Sequence, residues 1–474
     1  MTHNSFFVII KIMNDKFLQK IKAARPYFIP ALIALEAVFL LIVIAFTLHV
    51  VSLRNIRPPL SLSQSESASI SLIRQKAQKD ALGAFLRTIP YESAESRLSL
   101  TAGSAILIDA ETGAILYKKN ADEKIPPASM TKLVVMYIVF KEIASARISY
   151  DDIVPLPKEC WAKNMPPDSS LMFLASGQTV TVKELLTGLA VASGNDAAVA
   201  LAYYISGSVP SFVERMNAEI KALGLTETHF VEPSGYDERN ITTAAEFAAF
   251  SRRYVTDFPD SINLFHSCRE IYYPLSKNLS AQNAAKYGDS LAVHQKNTNP
   301  LLGLLDGVDG LKTGFIYESG YNLALTAKRD GRRYISVTMK GAGKGSRQGQ
   351  ANRVKDGTAL MEMAFASYDI FRDKTPPECT IRVLASKTKS AKLVCAPSSV
   401  SLTIPIEYRG RVSKRVSIPP YIFGEQKAGS VFGRVEYYCG DDVIASFPLI
   451  LDRNTKSCGA LTRAIDRFAA RFIK

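Results

Sequence analysis

The chain has 474 residues, 47% of them hydrophobic and 22% charged, which excludes a disordered polymer and leaves room for two or more domains. A net charge of +14 suits an anionic neighbour such as a membrane surface or an acidic polymer. Nucleic acid ranks last, because zinc-finger spacing and interleaved basic and aromatic residues are both absent from the sequence. The cysteines Cys160, Cys268, Cys379, Cys395, Cys439 and Cys458 form no C-x-x-C pair, so neither a metal site nor a cofactor is expected. Free buried thiols are the favoured state, with a disulfide among the last four as the alternative in an oxidising compartment.

Residues 1–26 are basic, with Lys11, Lys16, Lys20, Lys22 and Arg25 against Asp15. Residues 27–53 are almost wholly apolar and long enough to cross a bilayer as a helix. The basic flank predicts a cytoplasmic N-terminus and an extracytoplasmic remainder. Glu36 inside the run is expected near an interface or beside a partner helix. A cleaved signal peptide is the rival reading. The run is long for one and no small-x-small site follows it, so an uncleaved anchor is favoured. Residues 54–98 open on Pro58-Pro59 and carry serines at 61, 63, 65, 67, 69 and 71, which reads as a spacer that buries no core. A helix over about 70–86 would lead into the next domain.

Two strand signals, 104–109 and 114–117, flank the turn Ala110-Glu111-Thr112-Gly113. Pro126-Pro127 then halts the chain before Ser129-Met130-Thr131-Lys132. Residues 133–143 are apolar nearly all round, which predicts a buried central helix with Ser129 on its first turn. Thr181 and Glu184 form a capping box that opens a helix to Ala192. The helix breaks at Ser193-Gly194-Asn195 and resumes over 196–205. Further helices are predicted over 209–223, closed by Gly224, and from the capping box of Thr243 and Glu246. Strands return near 308–314, 321–328 and 334–341, and a last helix is expected over 352–368. The pattern predicts an α/β (α+β) domain over residues 99–373. After Pro376-Pro377, short alternating runs predict a small all-β domain over 374–452. Residues 453–474 end in an amphipathic helix. Leu461, Ile465, Phe468, Ala469 and Phe472 share one face, and Arg463, Arg467, Arg471 and Lys474 take much of the rest. Such a helix can lie in a membrane interface, or pack on the β domain instead.

Ser129 and Lys132 would lie one turn apart on one helix face. A serine hydroxyl is a poor nucleophile until a base takes its proton, and a neutral lysine amine can be that base. The same spacing recurs at Ser386 and Lys389, in a Lys-rich turn without an apolar helix behind it, read as solvated. Ser193-Gly194-Asn195 is one candidate partner for Ser129, and Ser261/Asn263 and Ser276/Asn278 share its spacing. Lys312-Thr313-Gly314 is the other; on a strand Lys312 and Gly314 face the same way, and the glycine would let a substrate backbone approach.

S-x-x-K, S-x-N and K-T-G in this order form the signature of penicillin-binding proteins and class A β-lactamases. Over about residues 100–474 the chain resembles the low-molecular-weight penicillin-binding proteins, the serine D-alanyl-D-alanine carboxypeptidases of peptidase S11 type. Asn120-Ala121-Asp122-Glu123-Lys124, Pro127-Ala128-Ser129, Ser193-Gly194-Asn195-Asp196-Ala197 and Gly320-Tyr321-Asn322-Leu323 carry the likeness, as do the β domain and the tail. The resemblance implies a penicillin-binding fold in a bacterial cell membrane with its catalytic domain outside. The implied partners are peptidoglycan pentapeptides and β-lactams. It implies that Ser129 forms an acyl-enzyme, that Lys132 is its base, with burial and Lys312 lowering its pKa, and that Ser193 passes a proton to the leaving amine. Asn195 would hold the substrate amide. The N–H groups of Ser129 and Phe315 would bind the oxyanion, and Lys312, Thr313 and Arg353 the terminal carboxylate. Ile316 departs from the threonine of many relatives. A β-lactamase, a D,D-endopeptidase and an inert wall-binding protein are the alternatives. For the first, the middle residue of S-x-N is Gly194 rather than Asp, and Glu232, the nearest candidate for a deacylating glutamate, sits in what reads as a turn, Glu232-Pro233-Ser234-Gly235-Tyr236.

Overall fold

The computed structural model describes residues 4–81, 86–91 and 98–473. Lys474, residues 82–85 and 92–97 of the expected spacer, and the side chains of Lys11, Lys16 and Arg25 lie outside the described residues. Helix α1 (Asn4–Arg54) contains a 27-residue stretch, Phe28–Arg54, whose most apolar 18 residues have a mean hydropathy of 2.8, long and apolar enough to cross a membrane.

The Ser-rich stretch is helical earlier than expected and is not a free spacer. Helix α2 (Gln64–Ala81) starts where Ser63 and Glu66 exchange backbone and side-chain hydrogen bonds. Its Ile70, Ile73 and Ala77 recur at helical spacing and pack on Val394, Ala396 and Ile450 of the β domain. The serines between them hide that stripe in the composition.

The α/β domain is built on a six-stranded sheet. Its strands are β1 (Arg87–Thr88), β2 (Ser104–Asp109) and β3 (Ala114–Lys119) and, after the separate hairpin β4 (Glu270–Tyr273) and β5 (Val293–Lys296), β6 (Val308–Ile316), β7 (Gly320–Arg329) and β8 (Arg332–Met339). The order is β1-β3-β2-β8-β7-β6, which places the K-T-G strand β6 at an edge. Side chains alternate across the sheet, so Ile106 and Ile108 face one core while Ala105 and Leu107 face the other. The first core holds α3 (Lys132–Ala144), α4 (Val182–Ala190), α5 (Asn195–Ser206), α6 (Val209–Ala222) and α7 (Ala244–Asp257). Helix α3 is buried on every side, as its all-round apolar sequence predicts. A short helix, α8 (Ala281–Tyr287), lies in the connection between β4 and β5, and α9 (Ser346–Ser367) covers the second core. Helix α9 starts six residues before the expected 352, because Gly349 lets its first turn pass against the Tyr321 ring.

The C-terminal domain is all β, as expected, with a shifted boundary. Strand β9 (Tyr368–Asp373), assigned above to the catalytic domain, pairs along its full length with β12 (Val400–Pro405). The strands β10 (Glu378–Leu384), β11 (Ser390–Cys395), β13 (Val412–Ser417), β14 (Ile422–Phe423), β15 (Val431–Cys439) and β16 (Asp442–Leu451) form a second sheet in the order β13-β15-β16-β11-β10-β14. In the turn after β10, Lys387 and Lys389 are exposed as expected, but Ser386 itself is buried. Its hydroxyl donates to Lys456 O at 2.7 Å and accepts from Thr388 N at 3.0 Å. The tail helix α10 (Ala460–Ala469) packs on both the β domain and the end of α1.

Candidate active site

Pro126-Pro127 and a left-handed Ala128 (φ 51°) force a tight 3-10 turn, Ala128–Thr131, immediately before α3. Ser129 therefore sits on the turn leading into the helix and Lys132 is its first residue, a slight shift from the expected helical pair. The turn aims the two side chains differently. Ser129 is half-buried at the floor of a cleft of about 510 Å³, whereas Lys132 is wholly buried beneath it. Their Nζ and Oγ atoms are 2.9 Å apart.

Lys132 Nζ also donates to Asn195 Oδ1, at 2.7 Å, and to the Ser234 carbonyl. A neutral amine has two N–H bonds and one lone pair; with both N–H bonds directed to those acceptors, the lone pair is left for the Ser129 hydroxyl. Burial pushes the Lys132 amine down to about 7, and the carboxylates of Glu232 and Asp196 resist the shift. Burial first, then the neighbouring Lys132 and Arg353, push Lys312 well below the usual lysine range, and the repulsion between the two amines acts on both.

Ser193 opens the helix break with a left-handed backbone (φ 58°), and its hydroxyl is buried in the cleft wall without a hydrogen-bond partner. Gly194 has no room for a side chain, since a Cβ there would meet Asp196 Oδ1 at 2.6 Å and Met172 N at 2.9 Å. Asp196 is fully buried and accepts Met172 N, Leu174 N and Ala197 N, which fixes the loop beside Asn195. The look-alike Ser276/Asn278 lies elsewhere, with the Asn278 amide donating to Thr179 O and Glu184 Oε1, and Ser261 is buried outside the cleft lining.

Strand β6 brings Thr313 to the cleft, while Lys312 is buried behind its wall. Lys312 Nζ donates to Thr313 O at 3.1 Å, and Thr313 Oγ1 donates to Thr298 Oγ1 at 2.7 Å. Gly314 lines the cleft and also admits the turn that carries Ser129: a Cβ there would lie 2.5 Å from Pro127 O and 3.2 Å from Met130 N. Phe315 stands at the rim, its ring 4.5 Å from that of Tyr321. Ile316 lines a side groove with Tyr236 and Tyr317. Arg353 borders the cleft, but two of its nitrogens are spent on structure: Nε donates to Asn322 O at 3.1 Å and Nη2 to Gly314 O. It ties β7 to β6 behind the cleft, and burial pushes its guanidinium down to about 10.

Sequence reasoning missed three contributors. The 232–236 turn was recognised, but not its use. The Glu232 carboxylate accepts Ser234 N at 2.7 Å, Ser234 Oγ at 2.6 Å, Gly235 N at 2.5 Å and Asn240 Nδ2 at 2.9 Å. That network presents the Ser234 carbonyl to Lys132. Gly235 (φ 81°) admits the Ala128 carbonyl, which any side chain would strike. Thr298, the partner of Thr313, carried no motif at all. Backbone acceptors leave no trace in a sequence pattern; only the Pro-Ser-Gly turn signal pointed to the place.

Comparison with known proteins agrees with this geometry. The D-alanyl-D-alanine carboxypeptidase family matches residues 91–343, and the C-terminal domain of penicillin-binding protein 5 matches residues 365–457. The chain is 31% identical over 371 residues to the D-alanyl-D-alanine carboxypeptidase DacF of Bacillus subtilis, covering 77% of this chain and 89% of the relative. It is 31% identical over 387 residues to DacC of Escherichia coli, covering 79% and 89%. Penicillin-binding protein 5 of Haemophilus influenzae superposes with a TM-score of 0.67 at 30% identity, covering 77% of this chain and all of that one. By motif, by fold and by descent, the chain belongs to the serine-type D-alanyl-D-alanine carboxypeptidase family.

Proposed function

We propose that this protein removes the terminal D-alanine from peptidoglycan stem peptides through an acyl-enzyme on Ser129 and is acylated by penicillins at the same atom. The observation that carries the reading is the Ser129–Lys132 contact at 2.9 Å, with burial bringing the amine down to about 7 so that a substantial fraction is neutral at pH 7. Ser129 Oγ attacks the carbonyl between the two D-alanines while Lys132 takes its proton. The N–H groups of Ser129 and Phe315 receive the oxyanion. Ser193, whose hydroxyl is otherwise unpartnered, passes the proton to the leaving D-alanine amine, and Asn195 holds the substrate amide. Lys312 and Thr313 bind the terminal carboxylate, with Arg353 as their backing. A bound carboxylate favours the charged form of Lys312, and the new charge beside Lys132 helps keep the base neutral. Water then releases the shortened peptide.

The same reading assigns residues 27–53 to a bacterial membrane anchor, with the catalytic domain on the extracytoplasmic side, followed by the β domain and tail. Cleavage of peptide cross-links would use the same machinery. Two observations weigh against a β-lactamase. The Glu232 carboxylate is consumed by turn amides, and position 194 has no space for the aspartate of the class A signature. The intact Ser129–Lys132–Asn195 contacts weigh against an inert wall-binding protein. Mass spectrometry of the wild-type and Ser129→Ala proteins with a penicillin tests the proposal, together with D-alanine release from a pentapeptide. An adduct is expected only in the wild type, with fast D-alanine release and slow β-lactam turnover. An adduct that survives the substitution would overturn the assignment.

A further inference from the structure

Between β5 and β6 the chain returns to the cleft through Asn297-Thr298-Asn299, and this short loop is pinned on both sides of the threonine. Asn297 N donates to Arg269 O at 2.7 Å, and Asn297 Nδ2 donates to Cys268 O at 2.8 Å. Asn299 is buried; its Nδ2 donates to Gly310 O at 3.2 Å, which ties the loop to strand β6, and its Oδ1 accepts Leu301 N at 3.1 Å. Asn297 Oδ1 accepts Asn299 N at 2.9 Å, so the two amides brace each other across Thr298. Thr298 is half-buried and lines the same cleft as Ser129 and Thr313. A side chain held in this way loses little further freedom when a ligand arrives.

The hydroxyl protons near the K-T-G strand can be counted. A threonine hydroxyl has one proton to give and can accept as well. Thr313 Oγ1 spends its proton on Thr298 Oγ1, at 2.7 Å. Thr298 Oγ1 accepts that bond, and its own proton has no acceptor among the described residues. The neighbouring groups are committed elsewhere. Lys312 is buried with Nζ on Thr313 O, Arg353 has Nε on Asn322 O and Nη2 on Gly314 O, and Ile316 has no hydroxyl and lines the side groove. The uncommitted threonine proton beside the motif therefore belongs to Thr298. Accepting from Thr313 also makes the Thr298 hydroxyl a stronger donor, because hydrogen bonds in a chain polarise one another.

We propose that Thr298 donates the hydroxyl hydrogen bond to the terminal carboxylate of the substrate, and that Thr313 stands behind it as the positioning residue that turns the Thr298 proton into the cleft. The two hydroxyls act in series, from Thr313 to Thr298 to carboxylate, while Lys312 and Arg353 supply positive charge. A bond of this kind to an anion is stronger than one to a neutral acceptor, so it discriminates a free carboxylate from an amide. The inference rests on the proposed carboxypeptidase reading and deepens it at one subsite.

The test uses the full-length chain and one peptide ending in D-alanyl-D-alanine, supplied as the free acid and as its C-terminal amide. Release of D-alanine or D-alaninamide gives kcat/KM for each. Thr298→Val should lower kcat/KM on the free acid about 10- to 100-fold. The same variant should leave the amide within about twofold of the wild type, which also shows that the cleft remains folded. Thr298→Ser, which keeps the hydroxyl, should recover most of the loss on the free acid. An equal loss on acid and amide would overturn the proposal and reduce Thr298 to a prop for the loop. Wild-type kcat/KM on the free acid in Thr298→Val would overturn it as well. If the wild type releases product from neither peptide, the proposed function falls. The contrast between benzylpenicillin and its methyl ester in acylation of Ser129 then decides Thr298 separately: a Thr298→Val loss confined to the free acid supports the carboxylate contact, and an equal loss on both overturns it.

Discussion

Two regions of this molecule carry a serine and a lysine three residues apart, and their burial is inverted. At the first, the lysine is sealed and the serine faces a cleft; at the second, Ser386 is wholly buried and the Lys389 side chain is 52% exposed. A sealed lysine loses its charge and becomes a base, whereas an exposed one stays charged and solvated. A serine reached by substrate can attack, whereas the Ser386 hydroxyl is already spent on Lys456 O. The spacing alone is therefore uninformative. Which member of the pair is buried decides whether chemistry follows.

The largest expected effect separates the pairs directly. Ser129→Ala should reduce β-lactam acylation and D-alanine release by about 10³-fold or more, and Ser386→Ala should leave both unchanged. Stopped-flow acylation of the two variants reads this, and a comparable loss in both would erase the distinction.

The pH profile probes the sealed lysine. Lys132 must be neutral to accept the Ser129 proton, and its amine sits near 7. The acylation rate should fall about tenfold per pH unit well below 7 and level off above it. Glu232→Gln removes a carboxylate that holds the Lys132 proton on, so the acid limb should move to lower pH. A limb that stays in place, or moves up, would show that Glu232 serves only the turn.

Gly314→Ala should cost about 1–3 kcal/mol, because the added methyl meets Pro127 O and Met130 N, and should slow acylation through the displaced turn. Thermal unfolding with and without a bound β-lactam measures both. A variant with wild-type stability would mean that the turn yields freely. The smallest effect is expected from Ser386→Ala on stability, a loss of about 1 kcal/mol for a buried hydroxyl whose partners are left unmet, readable by denaturant titration.

Much of this was legible in the sequence. The all-round apolar run after Lys132 announced a buried helix, and the three short motifs, taken in order, named the cleft. The illegible parts share physical causes. Helix α2 hid because serines fill the positions between its apolar residues. Strand β9 sits next to a helix in sequence but pairs with a strand beyond Pro376-Pro377. Gly314 and Arg353 lie where expected, yet they serve the protein's own backbone as well as the cleft, and a motif records which residue is needed without recording what it touches. The Ser234 carbonyl belongs to the main chain, which every residue shares.

The strapping of α2 along the β domain bears on how far the enzyme can search. An untied segment of residues 55–81 would act as a spring with an end-to-end distance of about 30 Å, and the cleft would sweep a volume of comparable radius. With Ile70, Ile73 and Ala77 fastened to the β sheet, and Arg453 holding the Leu60 carbonyl at 2.6 Å, that slack is taken up. The cleft becomes a fixed station above the end of α1, and the chains it can trim are those that pass at that one height.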